Sequence, residues 1–198
     1  MLAYLSWHRP APAVDPAAYE RALAQFHRSL AHRPPSGFRG SATFRAVELP
    51  WLKSSEERSP DGSTGYEDWY LLDDWAAVGV LEEAAVSRGH VSAHDKVASL
   101  AGVATGAIYR LVEGHPGLDA TQVAVWVARS RGHEHPSLAA LLGDGMDPAV
   151  GGLWRRCLGL GPAPEFCLLV PEAPAGVAST RLPKGWTATS TTRYRLTS

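Results

Sequence analysis

The sequence predicts an α+β fold, an antiparallel sheet with helices on one face. Three observations carry that prediction. Segments of period-two alternation recur along the chain. Two stretches between them place apolar residues at helical spacing. Over the first 113 residues the elements run strand, helix, strand, strand, helix, strand.

The first strand is residues 2–8, with Tyr4, Ser6 and His8 on a wetter face and Ala3, Leu5 and Trp7 on a drier one. Pro10 and Pro12 are expected to end it. Asp15-Pro16 then reads as an N-cap followed by proline at the first helical position. Tyr19, Leu23, Phe26 and Leu30 follow at spacings of four, three and four, an apolar stripe. Pro34-Pro35 stops the helix. Residues 38–49 alternate Phe38, Gly40, Ala42, Phe44 and Ala46 against Arg39, Ser41, Thr43, Arg45 and Val47, a long strand. Residues 53–65 are polar and rich in breakers, a loop between antiparallel strands, and residues 66–72 form the next strand. Asp73 or Asp74 caps a helix through Ala77, Val80, Leu81, Ala84 and Ala85. Ser92 to Asp95 opens a shorter helix to Leu100, and a strand at 106–112 closes the unit.

Residues 114–119 are a turn cluster and the expected boundary, giving a unit at 1–113 and a second half at 114–198. In the second half, strands are expected at 121–129, 165–170 and 191–197, and helical segments at 136–142 and 148–158. Residues 171–186 are Pro/Gly-rich and irregular. The order reads as a degenerate second copy of the first half.

Composition excludes several functions. The chain has 198 residues, enough to bury roughly 70% of its unfolded surface without staples. Nineteen basic residues balance twenty acidic ones, a net charge of −1, so no field attracts nucleic acid or an anionic membrane. The N-terminus has no basic stretch ahead of a long apolar run, and no run of about 18 apolar residues occurs. A chain without a signal peptide or membrane span, located in the cytoplasm, is expected. Cys157 and Cys167 sit among apolar neighbours and read as buried free thiols.

The element order resembles the dimeric α+β barrel superfamily, in which two ferredoxin-like units place their sheets face to face and helices cover the outside. The resemblance covers about 170 residues of element order and no specific motif. It implies a ferredoxin-like sheet, either duplicated within the chain into an α+β barrel or covered by a second chain in a homodimer. The group includes cofactorless monooxygenases, muconolactone-isomerase-like proteins and haem-binding barrels. In such a barrel the space between the sheets is the expected pocket, lined by the wetter strand faces. That points to Tyr4, Ser6, Arg45, Asp68, Tyr70 and Tyr109 as ligand-binding residues for a small anionic or aromatic molecule. His8 would be the base for proton transfer, oriented by Asp68. No cofactor is expected. Haem is the alternative the resemblance leaves open, with His8 as axial ligand. A second alternative is a non-catalytic interaction protein whose sheet face is a dimer interface.

Other constellations point elsewhere. His90 and His94 are four apart, but a helix start falls between them, so they do not share a metal-binding face. His133-Glu134-His135 has no third ligand at useful spacing. Asp73-Asp74 reads as capping, and Glu82-Glu83 as a solvated helix face. Gly102 to Gly106 reads as a turn. Neither a phosphate loop nor a Gly-x-Ser-x-Gly elbow occurs. Of seven tryptophans, Trp7, Trp69, Trp126 and Trp154 fall inside periodic elements and read as core.

Overall fold

The computed structural model describes residues 1–46, 49–52, 65–87, 89–119, 122–129, 151–171 and 185–196. The expected loop at 53–65 (but for its last residue), the helix at 136–142, most of the irregular stretch at 171–186 and the His133-Glu134-His135 cluster lie outside those residues. Eight strands close into one antiparallel barrel, in the order β1-β3-β2-β8-β5-β7-β6-β4. The first four are β1 (Leu2–Pro10), β2 (Phe38–Ala46), β3 (Gly65–Leu72) and β4 (Ala101–Gly114). The last four are β5 (Val123–Arg129), β6 (Gly152–Gly159), β7 (Phe166–Val170) and β8 (Trp186–Arg195). Helices α1 (Pro16–His32), α2 (Trp75–Val86) and α3 (Val91–Ala98) connect strands of the first half. The fold is α+β, with a ferredoxin-like antiparallel sheet and helices on one face.

The pleat decides what faces inward. Every second residue of a strand points to the same side, so one register sets a whole face. Trp7, Phe44, Trp69, Tyr109, Trp126 and Trp154 meet in one buried cluster that draws on seven strands. Their rings pack edge to face, Trp7 on Trp126 at 5.3 Å and Trp69 on Trp154 at 5.3 Å between centroids. This is the filled barrel interior. Buried within it, Glu67 of β3 accepts from Trp7 Nε1 (3.2 Å), Trp69 Nε1 (2.5 Å) and Arg193 Nη1 of β8 (3.0 Å). The Arg193 guanidinium lies 4.1 Å over the Phe44 ring.

The opposite face of β1 and β3 points out of the barrel and is covered by the helices. α1 is capped by Asp15, which accepts from Ala17 N and Ala18 N, with Pro16 in the first turn. Its stripe buries Tyr19, Leu23, Phe26, His27 and Leu30. Phe26 and Leu30 pack with Leu81 of α2 and with Tyr70 and Ile108 of the sheet. Burial of each large apolar side chain is worth about 1.5–3 kcal/mol.

Several expectations are corrected. Residues 152–159 are a strand, not the end of a helix at 148–158. Leu153, Trp154, Cys157 and Leu158 suit a helical stripe. However, β4 and β7 each present an edge there, and pairing of Leu111 and Cys167 with Trp154 satisfies both. The Gly102 to Gly106 segment is strand, not turn. Gly102 admits the backbone of Ala11, and Gly106 admits the Tyr4 ring against β4. β1 runs to Pro10, β2 is described over Phe38–Ala46 with residues 47–48 outside the described ones, and β8 begins at Trp186. Asp74 rather than Asp73 caps α2, while Asp73 pairs with Arg39 at 2.6 Å. α3 starts behind His90 and not at a Ser92 capping box, because the His90 ring is held by Ser29 Oγ and the Arg33 carbonyl. Cys167 is buried, but Cys157 is exposed on β6.

Candidate functional site

A cavity of about 760 Å³ lies between the outer face of β1, β3 and β4 and the three helices, with Leu158 and Leu160 beyond β4 at its edge. The sequence reading placed the pocket between two sheets. Among the described residues that space holds the buried tryptophan cluster, and this cavity is on the other side of the first sheet. Pairing of Tyr4 with Tyr70, Ser6 with Asp68 and His8 with Tyr66 puts these side chains on one face, under α1. Tyr4, Ser6, His8, Asp68 and Tyr70 all line the cavity.

Two expected residues do not. Arg45 points away from it and grips Glu20 Oε1 of α1 through Nη2 (2.6 Å) and Nε (2.9 Å). Tyr66 donates to the same oxygen at 3.0 Å, and burial, then Glu20, pushes its hydroxyl up to about 12. Tyr109 points into the barrel and donates to the Pro164 carbonyl at 2.5 Å. The register explains it: Ile108 stands opposite Tyr4 and shares its outward face, so Tyr109 faces inward.

The polar end of the cavity is one connected network around Asp68. Its Oδ2 accepts from His8 Nε2 at 3.0 Å and from the Tyr70 hydroxyl at 3.1 Å. His27 Nε2 of α1 stands 3.4 Å from Oδ1, within ion-pair reach but not aligned as a hydrogen bond. A carboxylate only accepts, so His8 carries its proton on Nε2, and Nδ1 accepts from the Tyr19 hydroxyl at 2.8 Å. His27 Nδ1 meets Ser41 Oγ at 2.7 Å. Burial works against the Asp68 charge, but His8 and His27 outweigh it and hold the carboxyl well below the usual range. Burial, followed by the Asp68 charge, raises the Tyr70 and Tyr19 hydroxyls far above theirs.

This geometry limits what His8 can do. Both ring nitrogens are engaged, and the side chain is 5% exposed. As a haem ligand it would have to break its bond to Asp68 or to Tyr19, so His8 does not fit an axial role. As a proton acceptor it is reached through Tyr19, which also lines the cavity. The hydroxyls of Tyr4 and Ser6 have no hydrogen-bond partner among the described residues and border the same space.

Tyr19 and His27 were not singled out from the sequence. Tyr19 hides in the apolar stripe of α1. The available signal was His27, a polar residue on a helix face otherwise made of Tyr19, Leu23, Phe26 and Leu30.

Closed barrel and covering helices together define the class, an α+β barrel with a sheet–helix cleft. Among solved structures, one described as an anthrone oxidase-like protein is similar over 98% of this chain and 91% of its own, with a TM-score of 0.51 and 9% identity. A putative chlorite dismutase is similar over 98% of this chain and 96% of its own, with a TM-score of 0.47 and 12% identity. At 9% identity, what the chain shares with the anthrone oxidase-like protein is the fold. No family model and no curated protein matches the chain. Among the described residues, no helix is long and apolar enough to cross a membrane.

Proposed function

We propose that the sheet–helix cleft binds a small molecule and moves a proton to or from it, as a cofactorless enzyme of the monooxygenase or isomerase type would. The observation that carries this reading is the Tyr19–His8–Asp68 chain at the inner end of the cavity. The Tyr19 oxygen takes the substrate's proton as its own passes to His8 Nδ1. The imidazolium so formed keeps Nε2–H on Asp68, whose charge stabilises it. The Tyr4 and Ser6 hydroxyls donate to the oxygen on which negative charge develops. Every proton is accounted for on this chain's own residues.

An interaction protein is the competing reading. It is favoured by the filled barrel interior, but the sheet face it would present to a second copy is covered by β5 to β8 of the same chain.

The test uses anthrone, a ketone with an acidic methylene group, since the similar fold belongs to an anthrone oxidase-like protein. Exchange of the methylene hydrogens in D2O without oxygen, followed by NMR, reads proton abstraction alone. Wild type is expected to speed the exchange, and His8→Ala and Tyr19→Phe to slow it by about 100-fold or more with the fold intact by circular dichroism. Wild-type exchange at the rate of His8→Ala would sink this reading.

A further inference from the structure

The cavity's charge is one-sided. Among the described lining residues there is no arginine or lysine. The expected anion-binding residue, Arg45, is spent on Glu20 outside the cavity. Asp68 is buried at the inner end, where its Oδ2 is taken up by hydrogen bonds from His8 and Tyr70. His94 of α3 lines the cavity with its Nδ1 3.3 Å from its neighbour Asp95. That leaves Glu82 of α2. It lines the cavity, its side of the helix is open to solvent, and it has no ion-pair partner among the described residues. It also acts electrostatically on Tyr4, across the cleft on β1. Around it the walls are apolar: Val78, Leu81 and Ala85 from its own helix, Val97 from α3, Leu158 and Leu160 from the β6 end.

We infer that Glu82 is a specificity-determining residue of this cleft, barring anionic ligands and admitting neutral, largely apolar ones that carry a hydroxyl or carbonyl. The inference rests on the cleft being a ligand site, as proposed above. The physics is that of a single charge beside a low-dielectric wall. An anion entering between α2 and β1 gives up water and meets a carboxylate that no lysine or arginine among the described lining residues offsets. A neutral molecule of the same shape pays neither cost and can place its oxygen at Tyr4 and Ser6.

Two probes with one body separate these cases: 2-naphthol, neutral at pH 7, and naphthalene-2-sulfonate. Both are titrated calorimetrically into the full chain at low salt. Naphthol is expected to bind, and the sulfonate to bind at least about ten-fold more weakly. Raising the salt should narrow that gap. Glu82→Lys should strengthen sulfonate binding at least about ten-fold and leave naphthol within about two-fold. The position is exposed on a helix, so the variant is expected to fold. Equal binding of the two probes by wild type overturns the inference, as does a Glu82→Lys chain whose sulfonate affinity is unchanged. If neither probe binds wild type, the cleft reading itself falls and the charge filter with it. If naphthol binds without discrimination, only the filter falls.

Discussion

Asp68 is the residue on which the cleft depends. Five side chains from four elements face its two oxygens or hydrogen-bond the histidines that do, and its carboxyl is 4% exposed. Its folded titration lies below the ordinary value of 3.8, so the unfolded chain binds the extra proton at acid pH. The stabilisation is present above about pH 4 and is lost as pH falls through the folded value. Asp68→Asn is expected to lower stability at neutral pH by roughly 2–4 kcal/mol, since two buried histidines lose their anion. Urea unfolding at neutral pH and again in acid should show the difference from wild type shrinking as pH falls. The pairing of His8 with Asp68 was legible in the sequence as two polar residues on wet strand faces. The part played by Tyr19 was not, because a tyrosine at apolar spacing in a helix looks like core.

At the scale of elements, local signals placed most boundaries and long-range contacts moved the rest. Asp15-Pro16 starts α1 wherever the chain goes, because capping is satisfied within three residues. Gly37 shows the opposite dependence. It joins α1 to β2 at φ +77°, and a Cβ there would stand 2.6 Å from Ala77 Cβ on α2. Gly37→Ala is expected to cost roughly 2–4 kcal/mol, from left-handed backbone strain and from displacing α2. The denaturation midpoint should fall with the slope unchanged. Displacing α2 also disturbs the cleft wall at Val78 and Leu81, so probe affinity should fall with stability. The segment at 152–159 is where local reading failed. Its spacing fits either a helix or a strand, and two waiting strand edges decided it.

Across the whole molecule, the barrel is two arcs of the same order. β4-β1-β3-β2 forms one, and β8-β5-β7-β6 repeats the sequence of neighbours in the other. They join where β2 meets β8 and where β4 meets β6. Glu67 of one arc and Arg193 of the other, both fully buried, tie them through the interior. Arg193→Met should destabilise the protein by about 3–5 kcal/mol, because Glu67 is left as an uncompensated buried charge. Adding Glu67→Gln should recover about half of that loss or more, as measured by chemical unfolding. No recovery would show that the arginine stabilises through its packing on Phe44 and Trp69 alone.

What the sequence determined by itself was periodic and local: the alternation of β1 to β3, the stripe and cap of α1, the α+β class, and the shared face of Tyr4, Ser6, His8, Asp68 and Tyr70. Those follow from the pleat and the helical turn, which any segment expresses on its own. Only the tertiary structure decided which side of the sheet is inside. Alternation defines two faces and does not name them, and here the tryptophan face turned inward while the polar face went under the helices. That choice carried Tyr109 into the barrel. Arg45, though outward on β2, was taken up by Glu20 of α1. The cleft was left with Glu82 as the one solvent-open carboxylate among its described lining residues.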